Sequence, residues 1–108
     1  MKKVNAFRDD RDWRQFHNEK DLAISISLEA SELLELFQWN SSKETVQTKR
    51  SEIEDELADV MIYSMMLASN LDLNIEDIIS NKLKKNNEKY PVDKSKGSKK
   101  KYTDLKNK

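Results

Sequence analysis

Two pairs of acidic residues at helical spacing hold most of the chemistry in this sequence: Glu29 with Glu32, and Glu56 with Asp59. Within each pair the side chains are three residues apart, so both project from one side of a helix. Two such helices packed together would bring these carboxylates to one place. Like charges at short range repel and raise one another's pKa unless a cation sits between them. A site of oxygen donors alone suits a hard ion, Mg²⁺ or Mn²⁺. The chain has no Cys and a single His, upstream at His17, which argues against zinc. The plain alternative is a solvated charged face, and for Glu52, Glu54 and Asp55 that is the better reading.

The elements that carry the pairs can be read from periodicity. At about 100° per residue, Leu22, Ile26, Leu33, Leu36 and Phe37 share one direction to within about 50°. Glu29 falls inside that apolar stripe and Glu32 on its edge. A carboxylate in a core-facing stripe is costly unless a salt bridge or a metal balances its charge. Ile24 and Leu28 cover another face. On the second helix Ile53, Leu57, Val60, Ser64, Leu67, Ala68 and Leu71 form the stripe. Glu52, Glu56, Asp59 and Tyr63 make an acidic row beside it, capped by a phenol, and Ala58, Ile62 and Met65 form a third, apolar face. Two apolar faces on one helix ask for a partner on each side, one of them from another subunit.

Punctuation sets the expected boundaries. A short helix is expected over about residues 9–17, with Trp13 and Phe16 on one side. Asp21 is the expected N-cap of a helix over about residues 22–38, ended by the polar stretch Trp39 to Ser42. A second long helix is expected from Ser42 or Lys43 to about Asn70, with an interruption near Gln47 and Thr48. Asn74, with Asp77 three residues on, opens a last helix that ends near Tyr90, ahead of Pro91.

Composition agrees with an all-α fold. The 108 residues include one Gly and one Pro, little material for hairpins. Charged residues make up 37% and apolar ones 36%, a thin core for a small monomer, so a dimer or higher assembly is expected. No apolar run is long enough for a spanning helix, and no signal core follows the N-terminus, so a cytoplasmic protein is expected. From Pro91 onward seven Lys face two Asp, leaving a basic tail on an acidic body. The expected organisation is one domain over residues 1–91 and a lysine-rich tail over 92–108.

With these residues in view, a resemblance can be stated. Glu29-Ala30-Ser31-Glu32 followed by Glu56-Leu57-Ala58-Asp59 resembles the ExxE…ExxD signature of the MazG-like all-α nucleoside triphosphate pyrophosphohydrolases. The surroundings strengthen it. Asp12-Trp13-Arg14-Gln15-Phe16-His17 precedes the first pair, and Leu33-Leu34-Glu35-Leu36-Phe37-Gln38-Trp39 completes it. Val60-Met61-Ile62-Tyr63 continues the second, and Lys82, Asn86 and Tyr90-Pro91 follow. The series looks like the dCTP-pyrophosphatase branch and runs from Phe7 to Pro91. The stretch after His17 departs from it: Asn18-Glu19-Lys20-Asp21 stands where members of that branch often have Pro-Arg/Lys-Asn, which leaves the base preference open.

The resemblance implies a four- to five-helix bundle assembled as dimers or dimers of dimers, with sites lined by more than one subunit. It implies hydrolysis of nucleoside triphosphates to monophosphate and pyrophosphate, in a nucleotide-pool house-cleaning role, with a dCTP-like or other dNTP substrate. Glu29, Glu32, Glu56 and Asp59 would hold Mg²⁺, and Glu32 or Glu35 would orient or deprotonate the attacking water. Trp13, Trp39 and Tyr63 would lie near base and sugar, Lys82 and Asn86 near the phosphates, and His17 along the nucleotide pocket. Each has a plainer reading: packing aromatics, a structural His, a solvated Lys. Met61, Met65 and Met66 read as gap-filling core.

Three rivals remain. A non-catalytic helical dimer, acting as an interaction or nucleotide-binding module, explains Glu29 in its apolar stripe worst. A di-iron bundle needs Glu-x-x-His pairs, which neither acidic pair provides. Nucleic-acid binding through the tail is opposed by the acidic body.

Overall fold

Five helices and no strand make up residues 2–92, the part of the chain that this computed structural model describes. They are α1 Lys2–Asp10, α2 Glu19–Glu35, α3 Ser42–Thr48, α4 Arg50–Asn70 and α5 Ile75–Lys89, with a 3₁₀ turn at Arg14–Phe16. The all-α expectation of four to five helices is met among the described residues. The lysine-rich tail, from residue 93 on, lies outside the described residues.

Side-chain oxygens start three of the helices by accepting from backbone amides that would otherwise lack a partner. The Asn18 amide oxygen accepts from the Asp21 backbone at 2.8 Å, Ser41 Oγ from Glu44 at 3.1 Å, and Asn74 Oδ1 from Asp77 at 3.1 Å. The Asn74 cap is as expected. Asp21 is not a cap: Asn18, extended at φ −76 and ψ 166, takes that place, so α2 begins at Glu19. Asp21 instead lies in the first turn, where its charge complements the helix dipole.

The other boundaries also moved. Helix α2 ends at Glu35, and the next amides pair with carbonyls three residues back, Phe37 with Leu34 at 3.0 Å and Gln38 with Glu35 at 3.1 Å. This tighter winding ends at Trp39, which has φ 70. The interruption expected near Gln47 and Thr48 is a full break at Lys49, between α3 and α4. Thr48 contributes to it by hydrogen bonding its hydroxyl back to the Glu44 carbonyl at 2.9 Å. Of the short helix expected over 9–17, only the 3₁₀ turn Arg14–Phe16 forms. Helix α1 stops at Asp10, Asp12 turns to φ 53, and Gln15 hydrogen bonds to the Asp12 carbonyl and carboxylate at 3.0 and 3.1 Å. Helix α1 itself was not anticipated.

Helix α2 packs chiefly on α4, and α1 and α3 lie against α4 as well. Leu22, Met66 and Ala68 are the buried apolar residues, and Ile26, Leu33, Leu36 and Phe37 are half-buried beside them. The predicted α2 stripe is therefore the packed one. Ile24 and Leu28, on the other face, are exposed. Met61 is exposed too and is not core; only Met66 of the α4 methionines is fully enclosed. One compact unit ends at Leu73 and a second begins at Asn74. Helix α5 belongs to the second, and Ile78, Ile79 and Leu83 are exposed on it.

Candidate active site

The α2–α4 packing brings the acidic pairs together. Glu29, Glu32 and Glu56 each offer a carboxylate oxygen, and these oxygens all lie within 4.8 Å of one another. Glu29 and Glu56 are half-buried and Glu32 is exposed. Glu29 Oε2 and Glu56 Oε2 are buried and have no hydrogen-bond partner. Acceptors enclosed in this way are costly, and a cation between them removes the cost.

The charges show the same strain. Burial, then the neighbouring carboxyls of Glu32 and Glu56 and the charge of Asp59, pushes the Glu29 carboxyl up to about 7. Burial, then Glu32, pushes Glu56 up from the usual carboxylate range. Burial, then the charges of Glu29, Asp59 and Glu32, raises the Tyr63 phenol. These three carboxylates are a hard-oxygen donor set and fit Mg²⁺ or Mn²⁺. Asp59, the fourth expected ligand, is not part of the close cluster; it faces the cavity beside it.

That cavity has a volume of about 390 Å³. Trp13 and His17 line it from the turn after α1, Asp59, Ile62, Tyr63 and Met66 from α4, and Lys3, Val4 and Phe7 from α1. Trp13 meets Phe7 edge-on at 5.4 Å and His17 edge-on at 6.1 Å between ring centroids. His17 Nδ1 is buried without a hydrogen-bond partner, and burial, then the charge of Arg8, lowers its pKa. The imidazole is thus neutral near pH 7. Trp13, His17 and Tyr63, three of the residues expected near the nucleotide, all line this cavity.

Trp39 is 92% exposed and does not line the cavity. Lys82 and Asn86 are one turn apart on α5, in the second unit; Lys82 is exposed, and the Asn86 carbonyl accepts from the Tyr90 amide at 2.8 Å. Glu35, the alternative to Glu32 for activating water, lines a different hollow with Leu34 and Phe37.

The α1 residues at the site were missed. Lys3, Val4 and Phe7, which line the cavity, escaped because α1 was not foreseen, and Arg8 with them. Arg8 is fully buried, and charged side chains are seldom so. The one signal available was its place four residues after Val4, on the side of α1 that faces the core.

The sequence profile of the MazG-like family matches residues 24–105. The chain belongs to the MazG-like family. Within it, this member is similar to dCTP pyrophosphatase 1 of Mus musculus, 38% identical over 104 residues that cover 92% of this chain and 61% of that protein. It is 34% identical to dCTP pyrophosphatase 1 of Homo sapiens with the same coverage of each chain. The chain thus spans about three-fifths of the length of these curated relatives. A crystal structure described as a pyrophosphatase from Archaeoglobus fulgidus superposes with a TM-score of 0.77 at 42% identity, covering 82% of this chain and 85% of that one. The MazG-like match takes in both acidic pairs.

Proposed function

We propose that this chain hydrolyses deoxynucleoside triphosphates, with a dCTP-like or other dNTP as substrate, to the monophosphate and pyrophosphate with the help of Mg²⁺. The observation that carries the proposal is the gathering of Glu29, Glu32 and Glu56 carboxylate oxygens within 4.8 Å beside an aromatic-walled cavity, with Glu29 and Glu56 each holding a buried, unpartnered Oε2. The similarity to proteins named dCTP pyrophosphatase 1 and to a structure described as a pyrophosphatase supports the same reaction class.

Glu29, Glu32 and Glu56 would hold the cation, with Asp59 completing the donor set from the cavity side. Bound there, Mg²⁺ would supply charge neutralisation on the triphosphate and a Lewis acid. Glu32, exposed next to two enclosed carboxylates, is the group we assign to accept the proton of the attacking water; Glu35 faces another hollow. Trp13 offers an aromatic wall for the base. Tyr63, with its pKa raised, stays protonated and donates a hydrogen bond toward substrate. His17, neutral, presents an imidazole edge to base or sugar. Lys82 and Asn86 are assigned to the phosphates, and Trp39 to the nucleotide of a site shared between subunits.

The shared site goes with assembly as a homodimer or a dimer of dimers. Ile24 and Leu28 on α2, and Leu57 and Met61 on α4, are between 47% and 59% exposed, apolar surface for another copy to cover. No described helix is long and apolar enough to cross a membrane. A cytoplasmic, nucleotide-pool house-cleaning role is the setting we propose.

The test is to incubate the protein with a panel of NTPs and dNTPs, in Mg²⁺ and in EDTA, and to separate the products. Monophosphate with pyrophosphate, lost in EDTA, is the expected result. No release from any nucleotide would overturn the proposal and favour a binding module.

A further inference from the structure

We infer that Arg8 is a positioning residue that sets the cavity wall, holding Trp13 and His17 against α4 without touching substrate itself. The inference rests on the reaction proposed above, in which that wall binds the nucleotide.

Arg8 has no exposed surface and does not line the cavity. Its guanidinium reaches α4 twice, donating from Nη1 to the Met66 carbonyl at 3.3 Å and from Nη2 to Asn70 Oδ1 at 2.8 Å. Asn70 passes the tie on, donating from Nδ2 to the His17 carbonyl at 2.6 Å. At its other end the Arg8 carbonyl accepts from the Trp13 amide at 3.0 Å. One residue thus connects three parts of the wall: Met66 on α4, Trp13, and His17 through Asn70.

The cost of this arrangement is visible. Arg8 Nε is buried without a partner, and the guanidinium hydrogen bonds to neutral oxygens and to no carboxylate. A cation enclosed on these terms is expensive to keep. A Met or Leu would fill the same space and keep the backbone bond to Trp13, but neither could fix two acceptors one turn apart on α4. Planar guanidinium geometry is suited to that task, and an ammonium is not.

The segment's other ties lie at the surface: Arg14 donates to Asp9 Oδ1 at 2.6 Å and to Ser69 Oγ on α4 at 3.4 Å, and Trp13 meets Phe7 edge-on. Residues 11–18 contain only a single 3₁₀ turn, and Asp12 sits at φ 53. Small displacements of binding groups lower binding and rate steeply. Loss of the tie should therefore act on the pocket and spare the carboxylate cluster, which is built from α2 and α4.

The test uses Arg8→Gln and Asn70→Ala in the full chain. Asn70→Ala cuts the relay to His17 and leaves the buried cation its bond to Met66, so it serves if Arg8→Gln does not fold. Both variants are expected to raise KM for the best substrate roughly tenfold or more, with kcat within about threefold and the Mg²⁺ dependence of rate unchanged. Arg8→Lys should recover only part of the KM. In a Trp39→Phe background, where Trp13 is the sole indole, both variants should leave Trp13 more accessible to acrylamide quenching. A merely structural Arg8 would lower the melting temperature and leave KM and quenching of the folded fraction as in the parent; that result, in either folded variant, overturns the inference. If the parent chain turns over no nucleotide, the proposed reaction fails, and quenching alone decides whether Arg8 sets the wall.

Discussion

Glu29 on α2 and Glu56 on α4 are 27 positions apart in sequence, yet their carboxylates meet in one cluster whose ligand oxygens lie within 4.8 Å, and each keeps a buried, unpartnered Oε2. Their repulsion is a cost of the fold that a cation would remove. Replacing Glu56 by Gln keeps the shape and removes one charge. We expect kcat to fall by about a hundredfold or more, with helical circular dichroism unchanged and the melting temperature in EDTA no lower than in the parent. Turnover within a few-fold of the parent would exclude Glu56 from the metal site.

The raised carboxyl gives stability a definite pH dependence. In the metal-free protein Glu29 titrates at about 7, against 4.5 in an unperturbed chain. Between those values the folded state holds a proton that the unfolded chain has released. Stability from this group is therefore full below the unfolded value, declines as pH rises toward the folded one, and is flat above it. Melting temperatures in EDTA should fall across that window more in the parent than in Glu29→Gln. With saturating Mg²⁺ the sign reverses, because the cation favours the ionised carboxylate. A difference between parent and variant that does not change with pH would contradict this.

Asp59 separates two versions of the site. It faces the cavity and stands outside the close trio, while its charge acts on Glu29, Glu56 and Tyr63. We expect Asp59→Asn to lower kcat by about a hundredfold while the helical fold persists. Retained turnover would reduce the donor set to the three glutamates and leave Asp59 as cavity wall.

Trp13 should act on binding more than on chemistry. Base stacking on an aromatic ring contributes roughly 1–3 kcal/mol, so Trp13→Ala is expected to raise KM about ten- to a hundredfold with a small change in kcat. A large loss of kcat at unchanged KM would place Trp13 elsewhere in the reaction.

Much of this was legible in the residues, and the exceptions have physical reasons. Glu29 was visible as a charge inside the stripe of Leu22, Ile26 and Leu33, because a helix wheel reads burial directly. The Asn74 cap was legible because capping is local. The Asn18 cap was overlooked because Asp21, three residues on, is also a good capping type; the extended backbone at Asn18 decides between them. Helix α1 was missed because its charged sequence has few apolar residues, and α4 supplies the packing that stabilises it. Arg8 followed from that omission: its partners Met66 and Asn70 lie 58 and 62 residues away, beyond any local pattern. Trp39 could be ranked as a packing or pocket aromatic only by type, and its φ of 70 and its exposure come from how α2 unwinds.

The account stands on the carboxylate cluster being a divalent-cation site. The most direct measurement is a Mn²⁺ titration followed by electron paramagnetic resonance, comparing the parent chain with Glu29→Gln. The account predicts that the parent removes the free-ion signal with a saturable stoichiometry, that Mg²⁺ competes, and that Glu29→Gln, equally helical, binds far more weakly. Equal Mn²⁺ binding by the two proteins, or none by the parent, would contradict it.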